Sequence, residues 1–203
     1  MKKYFIITVA IAIFASCTTE EPQMERTVFI PDPIDSRLPA YTEWGYNAFG
    51  AKISRRYFVA HNDIAPCRIL YRDGLLRFSM SGYWEYNNYG SITETTLTFI
   101  FPFERLYEYA DLMMLHNEKI ELTASTGCVV NLSQNGKDET LNIVDGELHF
   151  CRAQMLFIDE QPNRVILSGV FNFRYLSETD EFPVTVSNGR FDFGINRDIF
   201  YAY

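Results

Sequence analysis

Features that mark many enzymes and membrane-spanning proteins are scarce in or absent from this 203-residue sequence. Histidine occurs only three times, and no GxSxG, HExxH or glycine-rich phosphate-loop motif is present. The longest apolar run, from Tyr4 to Ala15, is shorter than the ~20 residues that a helix needs to cross a bilayer. We therefore predict a protein that is not an enzyme, needs no cofactor or metal and has no transmembrane helix.

Positively charged residues are also fewer than negatively charged ones. The chain holds 18 Lys and Arg against 26 Asp and Glu, which gives a formal net charge of -8 at pH 7. Removal of an N-terminal leader with Lys2 and Lys3 would take the net charge to -10. A chain this acidic repels the phosphate backbone, so the charge balance argues against nucleic acid as a partner.

The N-terminus has the pattern of an export signal that ends at a cysteine. Two lysines precede a short apolar run, and Ala15-Ser16-Cys17 resembles the lipobox of bacterial lipoproteins. In such proteins the cysteine carries acyl chains, and two or three chains hold a protein durably in a membrane. We therefore expect residues 1–16 to be a signal peptide and Cys17 to be lipidated, which makes the bacterial outer membrane the first partner.

Residues 17–40 are predicted to be a tether, and residues 41–203 a single β domain. The tether segment contains Pro22, Pro31, Pro33 and Pro39, which favour an extended chain. Glu20 and Glu21 resemble the acidic signal of surface-exposed lipoproteins in Bacteroidota. That resemblance implies display on the cell surface, and the periplasmic face of the outer membrane is the alternative.

The remaining cysteines are Cys67, Cys128 and Cys151. No CxxC pair is present, and export permits a disulfide, but spacing does not say which two would pair. Cys128 and Cys151 lie in apolar stretches, which favours buried free thiols.

Most of the chain after Phe49 has the pattern of β-strands. Leu76, Phe78 and Met80 alternate with polar residues, as in a strand with one buried face, and similar stripes follow at 97–101, 165–175 and 191–195. Four dipeptides indicate tight hairpin turns, namely Asp73-Gly74, Asn135-Gly136, Asp145-Gly146 and Asn188-Gly189. We predict an all-β fold, an antiparallel sandwich or a calycin-like barrel, with ten to twelve strands.

One short helix is predicted to cap an open end of the β core. Pro102 would open it. The apolar residues at α-helical spacing are Phe103, Leu106, Tyr107, Ala110, Met113 and Met114.

An aromatic segment is the most suggestive candidate for a binding site. Tyr83, Trp84, Tyr86 and Tyr89 lie within seven residues, among amides, and suggest a hairpin tip that contacts a glycan or a protein. The alternative is that Trp84 and one tyrosine pack on the sheet. Glu147, His149 and Cys151 share a strand face, but neighbouring positions about 7 Å apart are too distant for one zinc ion.

Two segments resemble a family of uncharacterised Bacteroidota lipoproteins. Residues 38–51 (LPAYTEWGYNAFGA) look like that family's LPxxTxxGxNTFG opening, and residues 169–173 and 186–192 look like its closing strand pair. Ala51 replaces a frequent cysteine, and Ser54-Arg55-Arg56-Tyr57 replaces an NGK-type turn. The resemblance implies an exported β domain and supplies no activity.

The sequence thus favours a lipid-anchored, non-enzymatic surface module that binds a glycan or a protein. The alternative is a structural or assembly lipoprotein of the cell envelope, and a hydrolase with an unrecognised site is the third reading.

Overall fold

The computed structural model describes residues 27–85, 91–104, 106–177 and 182–203. The predicted lipidation site Cys17 and the aromatic residues Tyr86 and Tyr89 lie outside these ranges. The described residues form twelve strands: β1 (Ala48–Ile53), β2 (Arg56–Val59), β3 (Cys67–Arg72), β4 (Leu75–Glu85), β5 (Ile92–Pro102), β6 (Glu118–Glu121), β7 (Val129–Gln134), β8 (Lys137–Thr140), β9 (Asn142–Ile158), β10 (Gln161–Leu176), β11 (Val184–Ile195) and β12 (Phe200–Ala202).

The strands form one long sheet that folds over on itself. Its order is β6-β9-β10-β11-β1-β2-β4-β5-β7-β8, while β3 pairs with β4 and β12 pairs with β3. All these pairs are antiparallel except β12 with β3. In the described ranges no pairing joins β6 to β8, so the sheet is not closed into a barrel. The predicted all-β fold is confirmed, in its sandwich-like form.

Phenylalanines from the two halves of the sheet meet in the core. The ring of Phe78 on β4 lies 4.9 Å from Phe191 on β11 and 5.4 Å from Phe150 on β9. On β5, Phe99 lies 5.4 Å from Phe171 of β10. These tilted and edge-on contacts are the arrangements that aromatic pairs prefer, and they hold the two layers together.

Strict alternation predicted the inward faces of the long strands correctly. Leu76, Phe78 and Met80 are at most 1% exposed. Leu97, Phe99 and Phe101 are buried in the same way. So are the predicted inward residues of β10 and β11, namely Val165, Leu167, Phe171, Phe173, Tyr175, Phe191, Phe193 and Ile195. Alternation works here because successive side chains of a strand point to opposite faces.

Two of the four predicted hairpin turns are wrong. Asp73-Gly74 and Asn135-Gly136 do join β3 to β4 and β7 to β8, with φ between 50° and 78° at all four residues. Asp145-Gly146 lies inside β9 instead, and Asn188-Gly189 lies inside β11. The pairing registers shift next to both dipeptides, so positive φ here accommodates β-bulges and not chain reversals.

Two other tight turns within the described residues have no glycine and were not predicted. Ser54-Arg55 joins β1 to β2 at the NGK-type position, with φ of 49° and 71°. Asp159-Glu160 joins β9 to β10 with φ of 49° and 63°. Positive φ at both positions is the geometry that favours Asn-Gly in a two-residue hairpin.

Replacing Asp159 and Glu160 together by Asn-Gly should therefore raise the free energy of unfolding by about 1 kcal/mol. Urea unfolding measures the change. The matched control is Gly74→Ala, where φ is 78° and no atom crowds the new Cβ. That control should lose about 1 kcal/mol, and a stability gain in the control or none in the double variant would contradict the turn assignment.

The predicted helix exists, but it is a 3₁₀ helix and begins later than expected. It spans Tyr109–Leu115, after Pro102 has ended β5. A 3₁₀ helix has 3.0 residues per turn, so positions three apart share a face. Tyr109, Leu112 and Leu115 are accordingly buried.

The α-helical stripe predicted for this segment is therefore wrong at Tyr107, Met113 and Met114. These three side chains are 43% to 70% exposed. A second 3₁₀ helix, Ala124–Thr126, was not predicted. Throughout the described ranges, helices with the length and apolar character of a membrane span are not found.

Residues 27–40, assigned to the tether by sequence, lie against the outer face of the sheet. The amide of Val28 donates to the carbonyl of Tyr46, and Leu38 is fully buried. Gly50 makes this approach possible, because a Cβ there would lie 2.4 Å from Pro39. The folded domain thus begins by residue 27.

Candidate functional site

The predicted aromatic site is only partly presented to solvent. Trp84 is half-buried, pairs with Phe58 across β2 and β4, and packs against the core. It follows Leu76, Phe78 and Met80 at even spacing on β4, so alternation turns it inward. Tyr83 lies on the other face, where its hydroxyl donates to Asp63 at 3.3 Å.

The other sequence candidates do not form a metal centre. Within the described ranges no group of three His, Cys, Asp or Glu residues is placed to hold a metal ion. The Cys151 sulfur lies 3.6 Å from Nδ1 of His149, while Glu147 pairs with Lys119 at 3.7 Å. Cys67, Cys128 and Cys151 are free, and only Cys67 is buried, which raises the pKa of its thiol.

A buried carboxylate, Asp192, organises the loop that precedes β1. Asp192 is 2% exposed and accepts from the backbone amides of Trp44, Gly45 and Tyr46 at 2.7–3.2 Å. The hydroxyls of Thr42 and Ser168 donate to it at 2.6 and 2.8 Å. Charged acceptors form strong hydrogen bonds with such donors, so this carboxylate fixes the path of residues 42–46.

At the other end of β1 lies a pocket of about 600 Å³ that is lined by cations and hydroxyls. We call it the basic pocket. Its lining residues are Arg37, Lys52, Ser54, Arg55, Tyr57, Pro183, Thr185 and Ser187. Its size falls in the range typical of small-ligand sites.

Asp35 arranges two of the lining side chains. Its carboxylate accepts from Lys52 and, at 2.8 Å, from the hydroxyl of Tyr57. The hydrogen bond with Lys52 holds the pKa of Asp35 below its ordinary value, and Asp35 raises the pKa of Lys52. Both groups are therefore charged at neutral pH.

The two arginines supply positive charge that this carboxylate does not neutralise. The guanidinium carbon of Arg37 lies over the Tyr57 ring, 3.8 Å from its centroid, as in a cation–π contact. Among the described residues, neither the Arg37 nor the Arg55 guanidinium forms an ion pair with a carboxylate. Counted over the described residues, Asp35 with Arg37, Lys52 and Arg55 gives a formal net charge of +2.

Such an arrangement suits an anionic group. Guanidinium groups bind carboxylate, sulfate or phosphate oxygens in pairs of parallel hydrogen bonds. Four hydroxyls around the cations can add hydrogen bonds to a polyhydroxy ligand. The charge count leaves out Glu178, Asp180 and Glu181, which precede Pro183 in the sequence and lie outside the described residues.

Sequence reasoning missed the basic pocket because its residues come from three separate segments. Arg37 lies within residues 27–40, Lys52 and Arg55 lie in the β1–β2 hairpin, and the third segment, residues 183–187, includes the start of β11. The only sequence signal was the departure from an NGK-type turn at Ser54-Arg55, which places a cation where glycine would be expected.

The two segments that resemble the lipoprotein family meet at Asp192. Residues 42–46 belong to the opening segment, and Asp192 ends the closing one. The structure therefore gives the two segments one shared role, while the family assignment stays a prediction. Comparison with known proteins identifies no relative: no family model, no curated protein and no solved structure matches the chain.

Proposed function

We propose that the chain is an exported lipoprotein whose β domain binds an acidic glycan, without catalysis, in the basic pocket. The observation that carries this proposal is the convergence of Arg37, Lys52 and Arg55 in a chain with net charge -8. A local positive charge on an acidic surface attracts anions selectively, because the remainder of the protein repels them. The hydroxyl lining favours a sugar over a purely inorganic anion.

The lipid anchor is the part of the proposal that rests on the sequence. Ala15-Ser16-Cys17 ends a short apolar leader, and the described domain begins only ten residues after Cys17. Such a chain would hold the binding domain close to the outer membrane, with the cell surface as the proposed side.

Calorimetric titration tests glycan binding with two probes of equal length, an oligogalacturonate and a neutral dextran oligomer. We expect the uronate to bind and the neutral oligomer to give no heat. Arg37→Gln and Arg55→Gln should each weaken binding about tenfold or more, since a charge-assisted hydrogen bond contributes ~1.5–3 kcal/mol. Raising the salt concentration should weaken it further.

The matched control is Arg72→Gln on β3, where exposed Arg72 pairs with exposed Asp73. It should bind like the wild type. Thermal unfolding checks that each variant remains folded. Equal affinity in all three variants, or equal binding of the neutral oligomer, would refute the basic pocket as the glycan site.

A further inference from the structure

A patch of apolar side chains is exposed where the described chain begins. Its members, which we call the aromatic patch, are Val28, Phe29, Ile30, Tyr41 and Trp44. Trp44 is 69% exposed and the other four are 38–46% exposed. Exposed apolar groups that cluster in this way mark contact surfaces, whereas isolated ones need no explanation.

Backbone hydrogen bonds place the two halves of the patch side by side. The amide of Val28 donates to the carbonyl of Tyr46 at 2.9 Å, and the amide of Ala40 donates to Ile30 at 2.5 Å. These two bonds join both ends of the loop of residues 40–46 to residues 28–30, so Tyr41 and Trp44 lie in a loop that begins and ends at this segment.

Hydrogen bonds hold the loop that carries Trp44, and Glu43, the charged residue between Tyr41 and Trp44, is paired. Asp192 holds the backbone at Trp44, so this ring is presented from a fixed loop. Glu43 forms an ion pair with Arg152 at 3.0 Å and accepts from the Tyr41 hydroxyl at 2.8 Å. A rigid apolar surface with neutralised charges loses little on leaving water.

The position of the patch relative to the tether identifies its occupant. Thr27 is buried beside the patch, and it lies ten residues after Cys17. Ten residues reach about 35 Å at full extension. A lipidated Cys17 would thus keep the patch within reach of the bilayer at all times, at a high effective concentration.

We infer that the aromatic patch docks onto the surface of the bilayer in which the Cys17 acyl chains sit. This inference rests on the proposed lipid anchor. Trp and Tyr prefer the interface between lipid and water, where the ring is apolar and the N–H or O–H stays hydrated. An acidic domain has no net electrostatic attraction for an anionic membrane, so an apolar contact supplies the docking.

Docking at the patch orients the basic pocket away from the lipid. Residue Ala48 pairs with Asp192 at the patch end of β1, and Ile53 pairs with Val186 at the pocket end. Five residues of strand span about 17 Å. The bound domain would therefore hold its ligand site at the far end of these strands, open to the surroundings.

The chain carries two tryptophans, which provide an internal control. Trp84→Phe leaves Trp44 as the only indole, and Trp44→Phe leaves half-buried Trp84. The full lipidated protein is reconstituted into phosphatidylcholine vesicles with or without brominated acyl chains, and tryptophan fluorescence is measured. Bromine quenches an indole only at short range, so we expect at least twofold quenching in Trp84→Phe and less than one-tenth loss in Trp44→Phe.

Vesicle flotation distinguishes a failure of the docking inference from a failure of the proposed lipid anchor. A protein that floats with the vesicles but shows no quenching of Trp44 keeps its anchor and refutes docking. A protein that does not float refutes the anchor, and docking with it. Equal quenching of both tryptophans contradicts the assigned patch, and thermal unfolding confirms that both variants are folded.

Discussion

Asp192→Ala is expected to lower the free energy of unfolding by about 3–5 kcal/mol. The substitution removes an acceptor that is 2% exposed and satisfies three backbone amides and two hydroxyls. Each buried donor left without an acceptor costs ~1–3 kcal/mol, and relaxation of the hydroxyls offsets part of the sum. The loop that carries Trp44 should loosen at the same time.

Urea unfolding followed by tyrosine and tryptophan fluorescence measures this loss. Asp145→Ala is the matched control, because Asp145 is about half exposed and pairs with Arg174 on the surface of β9 and β10. That pair should contribute no more than ~1 kcal/mol. A loss at Asp192 no larger than in this control would show that the buried carboxylate does not hold the loop.

The burial of Asp192 marks the limit of the alternation rule. The pattern Phe191-Asp192-Phe193 places the acid on the outward face of β11, and a one-sided sheet would leave it in water. The structure covers that face with residues 42–46, a segment about 150 positions away in sequence. Alternation gives the two faces of a strand, but it does not say which face another segment covers.

The elements that sequence predicted best are those that depend on local chemistry alone. The strand around Phe78 and the turn at Asp73-Gly74 are of this kind. Asn188-Gly189 shows that an Asn-Gly pair is an ambiguous signal, because positive φ occurs in β-bulges as well as in hairpin turns. At Asp159-Glu160 the long paired strands impose positive φ on residues that disfavour it, so no local signal was available.

The candidate sites show the same contrast between local sequence signals and contacts that only the folded chain creates. Trp84 was predicted to belong to a binding site because several aromatic residues lie near it in the sequence. Its position on the strand, however, places its side chain toward the core. Arg37 lies in the segment predicted to be a tether, and Trp44 lies in the segment that resembles the lipoprotein family's opening. Their importance comes from the packing of residues 27–46 on the sheet, which places one at each end of β1.

The surfaces at the two ends of β1 would have separate roles in the proposed lipoprotein. The aromatic patch would contact lipid, and the basic pocket would take up an acidic glycan about 17 Å farther along the strands. The two surfaces share no side chain, so variants of Arg37 should leave Trp44 quenching unchanged, and variants of Trp44 should leave uronate binding unchanged.

Cys17→Ser is expected to abolish acylation and to release the mature domain from the membrane. Each buried methylene contributes about 0.8 kcal/mol to membrane binding, so two or three acyl chains hold a protein where a single chain is marginal. The aromatic patch alone is small and its chain is acidic, and it should not retain the domain without the lipid. Only Cys17 has the Ala15-Ser16 context that the acylating enzymes would need.

Metabolic labelling with an alkyne fatty acid, followed by mass spectrometry of the N-terminal peptide, measures acylation directly. This readout is decisive, because an uncleaved leader could itself hold the serine variant to the membrane. Cys128→Ser is the matched control, since Cys128 is a half-buried free thiol within the β domain. The control should keep its label and its membrane fraction. Label that persists in Cys17→Ser, or disappears in Cys128→Ser, would assign the lipid to another residue and remove the basis for both the anchor and the docking of Trp44.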